Sequence, residues 1–252
     1  YFNLSLLKQN LPLSLPLTPT VFFGTINTQF DRYMLGFLNT IGGVGVYDIG
    51  QKIANLGFLF ITVLQQVYAP NVYSSYVNSP KKFSKHIGKY LGPFFYISFF
   101  FCLLLGLFSK EIIFILTTPK YYEAYQIIII LNMLYATYFF GKQPQLILAK
   151  KTKLISFLSL LGMSLNIIIN FPLIKFYGVI GAALGTFLAN MITSFISFLY
   201  AQKYAKIEYN KFVYFIFIYF QFSLAFILCV SILNLSYLSI LIFKIIIISG
   251  FV

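Results

Sequence analysis

The chain has 252 residues, 60% of them hydrophobic and 9% charged, with a mean hydropathy of +0.86. A soluble domain carries about 25% charged residues, so this composition excludes one. The formal net charge of +13 does not signal nucleic acid, because the 18 Lys and Arg residues are scattered through short islands and not gathered on a basic domain.

The islands separate apolar runs of about the 20 residues that a bilayer-crossing helix needs. The chain therefore reads as an all-α, polytopic membrane helical bundle of about eight transmembrane helices, one domain over 1–252. The spans fall near 11–30, 44–69, 90–108, 124–140, 154–174, 179–200, 212–233 and 235–252. Pro12, Pro16 and Pro19 should kink or partly unwind the first span near its start. The second should stop at Pro70, and the third should hold Pro93 in its first turn, where proline is least harmful. A short link, Lys175 to Gly178, joins the fifth and sixth, and Asn234 to Ser236 turns into the last.

Orientation follows from the cations. With the segment before Leu11 on the cytoplasmic side, Lys8, Lys142, Lys150, Lys151, Lys153, Lys203, Lys206 and Lys211 lie inside, together with the Ser74 to Lys89 loop and its Lys81, Lys82, Lys85 and Lys89. Only Arg32, Lys110, Lys120 and Lys175 fall outside, and twelve against four sets the topology. The basic loop, which also carries His86, is a topology determinant or a site for anionic lipid or a partner. No loop exceeds about 20 residues, too little for the extramembrane domain that a membrane glycosyltransferase or polymerase needs. The opening from Tyr1 lacks a signal peptide's parts, and the run from Leu235 to Val252 stops without a polar flank. The expectation is a portion of a longer protein.

Cys102 and Cys229 sit in apolar spans without CxxC spacing, so neither a disulfide nor a metal site is implied. No nucleophile with a paired base, phosphate-cradling loop or zinc spacing occurs, and the sequence predicts neither an enzyme nor a cofactor. Coupling to an ion gradient stays open.

Ionisable residues placed in or at the edge of membrane helices are costly and usually have a task. Asp31 and Arg32 close the first span. They either cap it and orient the Gly36 to Gly45 connection, or take part in gating or anion recognition. Neighbours on a helix do not face each other, so a simple mutual ion pair is not implied. Asp48 and Lys52, four apart, share a helix face in the favourable order for an ion pair. Lys52 lies about 12 Å along the helix from Val44 and should face the bundle interior. The pair is either structural or supplies a cavity-lining cation for an anionic substrate. Gln51, Asn55 and Gln65 extend the polar character of that helix, while Lys244 in the last span snorkels or lines a cavity. Gly181 and Gly185, at GxxxG spacing in GVIGAALGTFLAN, are helix-packing residues, with Asn166, Asn170 and Asn190 able to hydrogen-bond between helices.

The succession of a Pro-containing span ending in DRYMLGFL, a glycine-bearing link into VGVYDIGQKIANL, a run closing at YAPNVYSSY and the later LIKFYGVIGAALGTFLAN resembles the C-terminal half of Wzx-type polysaccharide flippases. That family shares a superfamily with MATE drug exporters and the lipid II flippase. The resemblance implies 12 to 14 helices in two bundles across a central cavity, with the N-terminal bundle missing from this chain. It further implies transport of an undecaprenyl-pyrophosphate-linked oligosaccharide across a bacterial inner membrane, for O-antigen or capsule assembly beside other polysaccharide-assembly proteins. Arg32 and Lys52 are then the candidate cations. Asp31 matches the acid of the family's DR-like element, and Asp48 lies where members often vary. Competing functions are a MATE-type cation antiporter, a membrane glycosyltransferase or polymerase, and a scaffold that binds enzymes through its basic loops.

Overall fold

The computed structural model describes residues 4–38, 41–141, 144–232 and 237–251, and these are helical almost throughout, with no strand among them. Ten α-helices follow one another: α1 (Leu4–Ser14), α2 (Thr18–Leu38), α3 (Ile41–Asn78), α4 (Pro80–Leu107), α5 (Ser109–Leu116), α6 (Ala124–Gly141), α7 (Gln145–Leu148), α8 (Thr152–Tyr204), α9 (Lys211–Ile232) and α10 (Tyr237–Phe251). Helices α3, α4, α8 and α9 are long and apolar enough to cross a membrane. The expected turn at Asn234 to Ser236 and the position of Lys142 lie outside the described residues.

The centre of the bundle is α6. Its Ile127, Ile128, Ile129, Ile130 and Leu131 are all buried, as suits a helix that is apolar all round and lies among other helices. Helices α3, α4, α8 and α9 pack around it. Phe99 of α4 stacks on Phe220 of α9 with ring centroids 5.7 Å apart.

Helix α8 is two rods in one. Gly178 has φ 57° and ψ −128°, a conformation that a Cβ makes costly and glycine does not. The chain folds back there, setting 152–177 antiparallel to 179–204. Close approach between the rods needs residues without side chains. A Cβ on Gly181 would run into the Leu173 carbonyl, one on Gly185 into the Asn170 amide, and one on Gly162 would press on Thr193.

The first segment is interrupted near its start, as its prolines predict: Pro12 lies inside α1, Pro16 in a 3-10 turn over Leu15–Leu17, and Pro19 in the first turn of α2. Several boundaries further on differ from the sequence expectation. Pro70 does not stop α3, which continues to Asn78, and Pro93 lies well inside α4. Proline fixes φ at a helical value and costs one backbone bond, and within a packed bundle the helix continues through it. The expected loop from Ser74 to Lys89 is instead a tight helical corner, with Ser79 between α3 and α4 and Pro80 at the first helical position, so its cations belong to the N-terminal part of α4. Lys244 neither snorkels nor lines the cavity. Its side chain is 3% exposed, its ammonium lies 2.5 Å from Glu111 Oε1, and it rests 5.2 Å from the Phe108 ring centre, fastening α10 to α5. Nearby Lys110 has its pKa lowered, first by burial and then by the Lys244 charge, against the opposing pull of Glu111.

Candidate functional site

Asp31 does not end its helix: α2 runs on to Leu38, and the carboxylate is 1% exposed. The reason is a set of donors from two neighbouring helices. Tyr47 of α3 donates to Oδ2 at 3.1 Å, Thr186 of α8 donates to Oδ2 at 2.9 Å, and Asn170 Nδ2 donates to Oδ1 at 2.8 Å. Asn166 supports them, accepting from Asn170 at 3.0 Å and donating to Thr186 at 3.2 Å. Burying an ionised carboxylate costs several kcal/mol, while each hydrogen bond to a charged group returns on the order of 1.5–3 kcal/mol. Three such bonds suffice to hold Asp31 without a cation. No Lys or Arg forms an ion pair with it among the described residues. Gly185 makes the arrangement possible by leaving room for the Asn170 side chain.

The chemistry open to this cluster is narrow. Asn170 Oδ1 is buried without a hydrogen-bond partner, and with Asp31 and Thr186 it presents hard oxygen donors. Such a set suits a proton or a small hard cation and not a transition metal. Among the described residues no group of three or more His, Cys, Asp or Glu could hold a metal ion.

Arg32 points the other way, toward α3. Its Nη2 lies 2.6 Å from Asp48 Oδ1 and 3.0 Å from Gln51 Oε1, and Nη1 reaches Gln29 Oε1 at 3.4 Å. Lys52 Nζ takes the other Asp48 oxygen at 2.7 Å. One carboxylate thus bridges two cations, leaving one net positive charge. Lys52 itself is 70% exposed and does not line the cavity described next, contrary to the expectation that it faces the interior. Once Asp48 is turned to meet Arg32, its i+4 neighbour is carried to the flank of the helix. Asp48 also stays off the lining, while Asp31, Arg32 and Gln51 are on it.

A cavity of about 850 Å³ opens between α2, α3, α6, α7 and α8. Gln51, Asn55, Phe58 and Gln65 line it along α3, and Tyr135 and Tyr138 along α6. Thr186, Asn190, Ser194 and Ser197 mark one face of the second α8 rod. Tyr47 and Thr186 were not singled out from sequence. The available signal was an acid at the edge of an apolar span together with Asn166 and Asn170 four residues apart on another helix, a spacing that places both amides on one face.

No protein-family model and no curated protein matches the sequence. Solved structures do match its fold. The lipid II flippase MurJ in an inward closed conformation aligns over 100% of this chain and 55% of its own, with a TM-score of 0.69 and 21% identity. The fold is that of a membrane transporter bundle. A MOP superfamily transporter from Pyrococcus furiosus aligns over 87% of this chain and 52% of its own, with a TM-score of 0.50 and 16% identity. The chain spans about half the length of each of these transporters.

Proposed function

We propose that this chain forms one bundle of a two-bundle flippase that moves an undecaprenyl-pyrophosphate-linked oligosaccharide from the cytoplasmic to the outer leaflet, for O-antigen or capsule-type assembly. The observation that carries the reading is Arg32, a guanidinium on the wall of an 850 Å³ cavity, in a cluster with Asp48 and Lys52 that carries one net positive charge in all. A pyrophosphate crossing a low-dielectric layer needs a fixed cation, and Arg binds phosphate oxygens two at a time. Alternating access between two bundles would carry that site from one face to the other. The buried Asp31 cluster between α2, α3 and α8 is where a proton or small cation would couple to this motion.

The lining argues against a MATE-type cation antiporter. Its acid, Asp31, is tied to three donors, and Asp48 is held by two cations. Among the described residues of this lining, a lipophilic cation would find no carboxylate outside these bonds. In this reading the protein is multi-pass in a bacterial cytoplasmic membrane, carries its cargo without altering it, and meets lipid and other polysaccharide-assembly proteins. The test is export in cells: Arg32→Gln in the complete protein should lower surface polysaccharide at least tenfold at unchanged membrane abundance, and Arg32→Lys should retain part of it. Normal export in Arg32→Gln would sink the reading.

A further inference from the structure

Away from the cavity, the link between α8 and α9 carries a second constellation. Helix α8 ends at Tyr204, α9 begins at Lys211, and residues 205–210 between them form no helix. Burial alternates along this link: Ala205, Ile207 and Tyr209 are buried, while Lys206, Glu208 and Asn210 are exposed. That is the period of an extended chain, which sets Lys206 and Glu208 on the same side. Their Nζ and Oε1 lie 3.7 Å apart.

The link is held by side chains and backbone of α8, α7 and α4. The Gln202 amide brackets Ile207, donating to its carbonyl at 3.1 Å and accepting from its N–H at 2.9 Å. Gln145 of α7 donates to the Ala205 carbonyl, and the Ser84 carbonyl of α4 accepts from the Glu208 N–H at 3.1 Å. Gly88 lets α4 come this close, since a Cβ there would run into the Glu208 carbonyl. Lys206 and Glu208 are thus carried on a fixed backbone, although an exposed ion pair contributes little to stability by itself.

Beside the pair is a crevice of about 490 Å³, which shares no lining residue with the cavity of Arg32. Lys206 and Glu208 are its charged residues, and Phe198, Tyr209 and Tyr214 its aromatic wall. The rings run in series, with centroids 6.1 Å apart from Phe198 to Tyr209 and 6.3 Å from Tyr209 to Tyr214. Two helices long and apolar enough to cross a membrane meet here, so the crevice lies at the level of lipid headgroups, where Tyr is enriched. Exposed Phe195, Leu199, Phe215 and Ile218 continue an apolar surface along α8 and α9.

A cation and a carboxylate on one fixed segment suit a ligand that bears both charges. Phosphoethanolamine has them two carbons apart: Lys206 meets the phosphate, Glu208 accepts from the ammonium, and aromatic faces attract the same ammonium. A glycerol headgroup offers Glu208 no cation, and the quaternary nitrogen of choline has no N–H to donate. The exposed Lys82, Lys85, Lys89 and Lys203 attract anionic lipids as well, but through a diffuse field that salt screens.

We infer that this crevice seats the headgroup of one phosphatidylethanolamine of the cytoplasmic leaflet, with its acyl chains along α8 and α9. The leaflet follows from the cations gathered at this end. The site rests on the membrane fold and stands apart from the flippase reading.

The complete protein in detergent is titrated with phosphatidylethanolamine, phosphatidylcholine and phosphatidylglycerol of identical chains, and bound lipid is counted by native mass spectrometry. One phosphatidylethanolamine should bind about tenfold tighter than either other lipid, as a charge-assisted hydrogen bond allows. Glu208→Gln should bring it down to the phosphatidylcholine level, Glu208→Asp should retain part of the preference, and Lys206→Gln should weaken all three. Both side chains are exposed, so folding should survive, and thermal unfolding of each variant checks it. Equal affinities for phosphatidylethanolamine and phosphatidylcholine in the parent overturn the site, as does a preference for phosphatidylglycerol or an undiminished preference in Glu208→Gln. Glycerophosphoethanolamine that binds as tightly as the lipid also overturns it, since the ligand would then be a soluble one.

Discussion

Arg32 and Asp48, sixteen residues apart on α2 and α3, meet at 2.6 Å, so the acid that sequence spacing assigns to Lys52 is shared with a cation from another helix. Asp48 occupies the place on Arg32 that a phosphate oxygen would take. Its partly exposed position limits the strength of the bond to about 0.2–1 kcal/mol, weak enough for a ligand to displace.

Asp48→Asn should therefore tighten binding of undecaprenyl diphosphate by up to about fivefold, the equivalent of that bond, and slow its release. Equilibrium binding and transport rate, measured on one preparation, check this. A merely structural Asp48 would give weaker binding instead.

Lys52 offers a contrast with Arg32. Its 70% exposed side chain lies off the cavity wall, so Lys52→Ala should change diphosphate affinity by less than about threefold, within the range of an exposed pair. Quantified binding of the Lys52→Ala and Arg32→Gln proteins side by side checks the order. A larger loss in the lysine variant would return the anion site to Lys52.

Asp31 is expected to matter twice. Asp31→Leu leaves Tyr47, Thr186 and Asn170 without their acceptor, and buried donors so orphaned cost about 1–3 kcal/mol each. Thermal unfolding in detergent should fall accordingly. Asp31→Asn keeps the shape and loses the charge, so it should fold while its transport no longer responds to pH or to the choice of alkali cation. A response unchanged from the parent would remove Asp31 from coupling.

The α8 hairpin separates two kinds of close approach. A methyl at Gly181 meets backbone at Leu173, whereas one at Gly185 meets the side chain of Asn170. Gly181→Ala should cost about 1–3 kcal/mol, the usual range for overpacking. Gly185→Ala should cost less in stability but disturb the Asp31 cluster. Melting temperatures of the two variants test the order.

What could be read from the chain was its axial organisation. Apolar runs separated by charged islands mark the helices, and 1.5 Å per residue sets depth along each. Direction around the helix axis was not legible, because it depends on neighbours distant in sequence. Lys52 was expected to face the interior and is 70% exposed, since nothing in its own helix reveals that Arg32 shares Asp48. Asp31 looked like a helix end because its partners Tyr47, Asn170 and Thr186 lie 16, 139 and 155 residues away. Pro70 and Pro93 misled for a related reason: proline ends a helix that stands alone more readily than one held on several sides by others. Glycine spacing was more informative, because a GxxxG face has few uses other than close contact.

In the flippase reading, Arg32 holds a diphosphate during transfer between leaflets. The most direct test is flipping of undecaprenyl diphosphate-linked oligosaccharide in proteoliposomes, comparing the complete protein with its Arg32→Gln variant. Transfer in the parent should fall at least tenfold in the variant, with equal amounts of folded protein. Equal rates in the two would contradict it, as would a parent that moves an organic cation and leaves the lipid where it was.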